Sequence, residues 1–260
     1  MDGTVVDIGD LGIFFVEHGE GVPVLYVHGN TGSCRWYERV MEVPGARTVA
    51  LDMPNFGRSK PLPGEPDIDR YADAVAAFIR ACSLDRPVLV GHSLGGAVAM
   101  SLAARFPRLI RGLALVDSAA PSGLVTPKDR HPLIEMMRTN RVVLERALRA
   151  IAPTLTDEGF FQSLVDDATR MAAPAWVGHA EALGRFDYRG RTQAFTGPVL
   201  VAWGRKDVVI TEAMARETAA AFPDAKLEAL EDVGHSVMVE NPKRFISLIE
   251  DFTRGRRLAS

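Results

Sequence analysis

The chain has 260 residues, 47% of them apolar and 24% charged, which is the balance of an ordinary globular protein and room for one α/β domain with or without an insertion. Thirty basic against 33 acidic residues leave a formal charge of −3. This gives no electrostatic reason to expect nucleic acid or an anionic membrane as partner and leaves a neutral or modestly polar small molecule as the expected ligand.

In chain order, Met1 to Asp10 hold three acidic residues and lack the basic and apolar regions of a secretory leader. Val5 to Val16, with Gly9 and Gly12 as turn residues, predicts an antiparallel hairpin. Strand-sized apolar runs follow. Val24–Val27 ends in His28-Gly29-Asn30, Thr48–Leu51 in Asp52, and Val88–Val90 in Gly91-His92-Ser93. Leu113–Val116 ends in Asp117, Val199–Trp203 in Gly204, and Leu227–Leu230 is a shorter run. Runs this uniformly apolar suit strands buried on both faces by helices. Ile68, Tyr71, Val75, Phe78, Ile79 and Cys82 fall on one face of an intervening helix. The alternation predicts right-handed crossovers and a mostly parallel sheet.

The pattern changes between about Pro121 and Arg189. Leu133–Ile151, Asp157–Met171 and Ala175–Phe186 are helical patterns, and no strand lies among them. Residues 121–189 are therefore expected to form a helical cap over one edge of the sheet, with 1–120 and 190–260 as the core domain. The tail Arg254–Arg257 is expected to be a solvated end. No run approaches the roughly 20 apolar residues of a bilayer span. Two cysteines do not make a disulfide framework, and six scattered histidines lack zinc-site spacing. The expectation is a cytoplasmic protein without a metal, a monomer or small homo-oligomer.

Gly91-His92-Ser93-Leu94-Gly95 fits G-x-S-x-G, with a buried strand before it and a small-residue helix after it. In that context the serine sits on a sharp, strained turn with its hydroxyl exposed at the sheet's C-terminal edge. A serine hydroxyl needs a base beside it. His235, on a loop after the last strand, has the strongest claim. His28 is expected to bond its own loop, His92 to point away from the elbow, and His131 and His179 to lie in the cap. The acid that orients the base is Asp207 or Asp117, each just past a parallel strand. Asp207 is favoured because it gives the chain order Ser, Asp, His. The backbone N–H groups of Leu94 and Asn30 are candidates for the oxyanion hole. Cys34, with only Arg35 as a basic neighbour, is expected to be a bystander. Met136, Met137, Phe160, Phe161, Met171 and Trp176 are candidates for a pocket roof, with Phe161 and Trp176 as substrate contacts. Trp36 and Phe56 are the corresponding contacts on the sheet side.

His28-Gly29-Asn30 with Trp36, Asp52 through Ser59, the elbow at Ser93, Gly204 to Asp207 and Gly234-His235 together resemble the α/β-hydrolase family over essentially the whole chain. The resemblance implies an eight-stranded sheet, a cap inserted after the sixth strand, no cofactor, and the roles given above. One departure is visible: Asn55 stands where the D-x-x-G-x-G-x-S loop has its first glycine. Asparagine tolerates positive φ, so the turn is expected to survive. Within the family Ser93 argues against the aspartate-nucleophile branches, and Asn30-Thr31-Gly32 fits poorly with the carbon–carbon hydrolases. An esterase or lactonase is the favoured expectation. A slow-turnover receptor, a cofactor-free perhydrolase and a carbon–carbon hydrolase remain as alternatives.

Overall fold

The structure, a computed structural model, describes residues 2–255. The hairpin is present as β1 (Thr4–Ile8) and β2 (Leu11–His18). Then come β3 (Val22–Val27), β4 (Ala46–Leu51), α1 (Ile68–Ala81), β5 (Val88–His92), α2 (Leu94–Arg105) and β6 (Gly112–Val116). Four helices follow: α3 (His131–Thr139), α4 (Arg141–Ile151), α5 (Glu158–Ala168) and α6 (Ala175–Arg185). The chain closes with β7 (Val199–Gly204), α7 (Glu212–Ala220), β8 (Ala225–Leu230), α8 (Val237–Glu240) and α9 (Pro242–Arg254). Arg254 therefore ends a helix, while Arg256 and Arg257 of the expected tail lie outside the described residues.

The eight strands form one sheet in the order β1-β2-β4-β3-β5-β6-β7-β8, antiparallel only at β1–β2 and β2–β4. From β3 the chain moves outward to β4 and then returns to the other side as β5. The connections after β3 and β5 thus diverge, which opens a crevice at their carboxyl ends, where α/β sheets bind ligands. Asn30 and Ser93 stand on those two connections. β3, β5 and β6 are buried nearly throughout, as strands covered on both faces must be. α1 turns Ile68, Tyr71, Ala72, Val75, Phe78 and Ile79 into the core and is capped by Asp67, whose carboxylate accepts from the Arg70 amide.

The helical stretch between β6 and β7 is present, with one change. The expected helix Leu133–Ile151 is two helices that meet at Asn140. Asn140 has extended backbone (φ −129°, ψ 104°), and its side chain accepts from the Val142 and Val143 amides. An N-cap competes with helix continuation, and here the cap prevails. This insertion is tied to the sheet's C-terminal edge. Asp167 accepts from Ser33 Oγ (2.9 Å) and Arg35 Nε (2.8 Å), and the Ala172 amide donates to the Asn55 carbonyl (2.9 Å). Among the described residues, no helix is long and apolar enough to cross a membrane.

Candidate active site

Ser93 occupies the turn between β5 and α2 with φ 53° and ψ −116°, a region side chains rarely adopt and one that must be held by its surroundings. Its amide donates to the Val116 carbonyl (3.1 Å). The glycines explain how the turn closes. A methyl group at Gly91 would lie 2.4 Å from the Gly95 carbonyl oxygen, and one at Gly95 would lie 2.3 Å from that of Val27. Strand and helix therefore approach backbone to backbone, and only hydrogen fits between them. The Leu94 and Asn30 amide N–H groups have no hydrogen-bond partner among the described residues.

His235 and Asp207 meet as expected, with His235 Nδ1 2.7 Å from Asp207 Oδ2 and both side chains buried. Asp207 Oδ1 accepts from the Val209 (2.6 Å) and Ile210 (3.1 Å) amides, which fixes the carboxylate. Ser93 and His235 stand at the same sheet edge without a hydrogen bond between their side chains in this structure.

Asp117, the competing acid, lies beside the pair but bonds elsewhere. Its Oδ1 accepts from the Gly204 amide (2.8 Å), while Oδ2 is buried with no hydrogen-bond partner among the described residues. Burial, and then the negative charge of Asp207, push its carboxyl well above the usual carboxylate range. Asp117 is thus a brace that joins the ends of β6 and β7. Among the described residues, Asp117, Asp207 and His235 bring three potential metal-ligand atoms within 4.8 Å of one another. The lone pairs are largely committed: His235 Nδ1 faces Asp207, and both Oδ1 atoms accept backbone amides.

The other expected residues fall in distinct places. His28 bonds its own loop, its Nε2 accepting from the Met53 amide (3.0 Å) and its Nδ1 donating to the Gly29 carbonyl (2.8 Å). Phe56 is buried and stacks on His179, with ring centroids 4.8 Å apart. Trp36 is buried beside His92, and its indole N–H has no hydrogen-bond partner among the described residues. Phe161 lies under the Arg149 guanidinium, 3.5 Å from its ring centre, and Trp176 donates to the Met171 carbonyl (3.3 Å). Cys34 is buried, and that burial pushes its thiol well up, away from the thiolate a nucleophile needs. Asn55 takes φ +76°, so the glycine replacement keeps the turn.

Three contributors were not anticipated. His92 does not point away: its ring packs on that of His235 (4.8 Å), and its Nε2–H donates to the His235 carbonyl (2.8 Å). Glu240, at the end of α8, accepts from the Gly234 and Ser236 amides and from Thr154 Oγ1 (2.7 Å), so one carboxylate clamps the His235 loop and ties it to the insertion. His179 reaches out of the insertion to Asn30 Oδ1 (2.8 Å) and to the Tyr71 hydroxyl (2.8 Å). No motif marks these residues: His92 and His179 act through partners more than 100 residues away, and Glu240 joins nearby amides to Thr154, 86 residues away.

A parallel sheet with a strained serine at a glycine-flanked elbow and a carboxylate-bonded histidine at the same edge defines the α/β-hydrolase architecture. The chain belongs to the alpha/beta hydrolase family, whose model matches residues 24–248. Among curated proteins it is 28% identical to the AB hydrolase superfamily protein YisY of Bacillus subtilis, over 94% of this chain and 96% of that protein. It is 26% identical to a 2-hydroxymuconate semialdehyde hydrolase of Pseudomonas sp. strain CF600, over 91% and 88%. Of solved structures, an esterase from Exiguobacterium antarcticum superposes with a TM-score of 0.89 at 22% identity, covering 98% of this chain and all of that one. An enol-lactonase from Burkholderia xenovorans LB400 does so with a TM-score of 0.84 at 20% identity, covering 97% and 100%. At these identities the structural likenesses establish the fold.

Proposed function

We propose that the protein is a serine hydrolase that cleaves an ester or lactone of a small organic substrate through an acyl-enzyme. The observation that carries this reading is Ser93, strained at the elbow, with the His235–Asp207 pair at the same sheet edge. In the reaction, Ser93 Oγ attacks the carbonyl carbon while its proton passes to His235 Nε2. Asp207 keeps Nδ1 protonated and stabilises the imidazolium. The Leu94 and Asn30 N–H groups, uncommitted among the described residues, receive the developing oxyanion. The leaving alcohol takes the proton from His235, and water repeats the sequence in reverse to release the acid. The ester and lactone choice draws support from the esterase and enol-lactonase likenesses, and no residue on this path calls for a cofactor.

The similarity to 2-hydroxymuconate semialdehyde hydrolase supports a second reading, hydrolysis of a carbon–carbon bond next to a carbonyl. The test is a panel of p-nitrophenyl esters, lactones and vinylogous 1,5-diketones, run on wild type and Ser93→Ala. Sustained ester or lactone turnover, lost on the order of 10⁴-fold in Ser93→Ala, with a fluorophosphonate labelling Ser93 alone, is the expected result. Activity that survives in Ser93→Ala, or a single stoichiometric turnover, would overturn it. Turnover of the diketones alone would favour the second reading.

A further inference from the structure

A buried line of polar groups runs from the core through the insertion to the loop after β3. At its origin, the Leu62 amide donates to Asn55 Oδ1 (2.9 Å). That contact fixes which end of the Asn55 carboxamide is oxygen, so its Nδ2 must donate to the Tyr71 hydroxyl (2.5 Å). Having accepted there, the hydroxyl donates its one proton to His179 Nε2 (2.8 Å). The imidazole proton therefore sits on Nδ1 and is given to Asn30 Oδ1 (2.8 Å). Each step leaves one orientation for the next. Phe56 lies flat on the His179 ring, with planes 4° apart, and bars it from turning over. Burial holds the imidazole at about 3, with His28 nearby adding to the effect, so it stays neutral and keeps both roles.

The line ends on Asn30 Nδ2. With its oxygen taken by His179, the Asn30 carboxamide can present only its N–H₂ group outward, and that nitrogen has no partner among the described residues. Asn30 is half-buried, whereas Asn55 and His179, further back along the line, are buried. It is also next to the nucleophile: a Cβ at Gly29 would lie 2.9 Å from Ser93 Cβ, and Asn30 is one residue on, about 3.8 Å along the backbone.

We propose that Asn30 is a specificity-determining residue whose side-chain N–H₂ recognises a second acceptor oxygen (ether, keto or hydroxyl) beside the scissile carbonyl of the acyl group, and that His179 is the positioning residue that holds it as a donor. This rests on the hydrolase reading above. It adds a side-chain donor to the backbone N–H that the same residue offers the oxyanion. A buried, oriented amide rejects a substrate that lacks its partner atom more strongly than an apolar wall discriminates by size.

The test compares p-nitrophenyl methoxyacetate with p-nitrophenyl butyrate, which differ by an ether oxygen in place of a methylene. Each kcat/KM is divided by the ester's own hydroxide-catalysed rate to remove intrinsic reactivity. Wild type should prefer methoxyacetate by about tenfold, the worth of one well-placed hydrogen bond. Asn30→Ala, which keeps the backbone N–H, and His179→Phe, which keeps the ring volume, should bring the ratio close to one. His179→Asn, whose amide nitrogen can stand where Nδ1 stood, should restore most of it. A purely structural His179 would lower both esters together and leave the ratio alone, which would overturn the proposal, as would a wild-type ratio near one. Should His179→Phe not fold, Tyr71→Phe carries the test: it removes the donor that sets the tautomer, so the ratio should fall, and an unchanged ratio would refute the relay. If wild type hydrolyses neither ester and a fluorophosphonate leaves Ser93 unlabelled, the hydrolase reading fails and takes this inference with it. Hydrolysis without the preference removes the inference alone.

Discussion

Asp207→Asn and Asp117→Asn change one atom each in neighbouring carboxyls, and the structure expects opposite outcomes. In Asp207 one oxygen accepts from the Val209 and Ile210 amides and the other faces His235 Nδ1 at 2.7 Å. Asparagine has a single oxygen, and the two backbone N–H groups claim it. Its NH₂ then falls against Nδ1 and turns that nitrogen into an acceptor. The imidazole must carry its proton on Nε2, the position that has to receive the proton of Ser93. The expected loss in kcat is on the order of 10⁴-fold, about 5.5 kcal/mol of transition-state stabilisation, with the fold intact. Asp117 is different, since burial and Asp207 push its carboxyl well above the usual carboxylate range. Asparagine can keep the bond from the Gly204 amide, so kcat should stay within about threefold. The stability sign follows from the same shift. A carboxyl raised on folding takes up a proton, so its contribution is intact below its unfolded value of 3.8 and is lost as pH climbs towards the folded value. The slope is up to about 1.4 kcal/mol per pH unit. Asp117→Asn should therefore gain on wild type in urea midpoint as pH rises above about 4. Ester-hydrolysis kinetics and urea titrations at several pH values read both effects. A reversed ranking in kcat, or a stability difference flat with pH, would refute the reasoning.

Gly95→Ala should cost more than about 3 kcal/mol or prevent folding, because its methyl group would meet two backbone oxygens, of Val27 at 2.3 Å and His28 at 2.4 Å. Gly184→Ala, in α6 with nothing within 4 Å of the new methyl, is the control and should gain up to about 1 kcal/mol in the same urea titration. Phe161→Leu should lower Tm through its lost packing against Arg149 and leave the short-to-long ester ratio unaltered. A shifted ratio at constant Tm would instead place that ring against the substrate.

Legibility in the sequence tracked the range of the interactions. The elbow was readable because strand, glycines, serine and helix are consecutive, and the geometry that needs them is local. Asp207 and His235 were readable from their places just after apolar strands. The α3–α4 break was missed because apolar spacing continues across Asn140, and its capping bonds to Val142 and Val143 look in sequence like one polar residue on a helix face. His92 was misread because an alternating strand-end residue is expected to face away, while the turn swings it under the His235 carbonyl. Glu240 and His179 could not be found at all. Glu240 works through the Gly234 and Ser236 amides just before its own helix and through Thr154, 86 residues away, which no motif announces, and the partners of His179 lie 149 and 108 residues away, with no periodicity to announce them.

The buried histidines show how the fold sorts one ring type into different tasks. His28, His92 and His179 are each enclosed, and burial comes first in lowering the pKa of all three. Each therefore stays neutral, with a donor nitrogen and an acceptor nitrogen whose assignment its neighbours can fix. His28 holds the loop after β3, His92 the carbonyl of His235, and His179 the Asn30 carboxamide. His235 alone among the four has a carboxylate hydrogen-bonded to its ring. A proton arriving from Ser93 would thus find one imidazole equipped with a compensating charge, packed against His92, whose burial resists protonation. That difference directs the proton, and it keeps the surrounding hydrogen bonds from being rewritten each time His235 becomes charged.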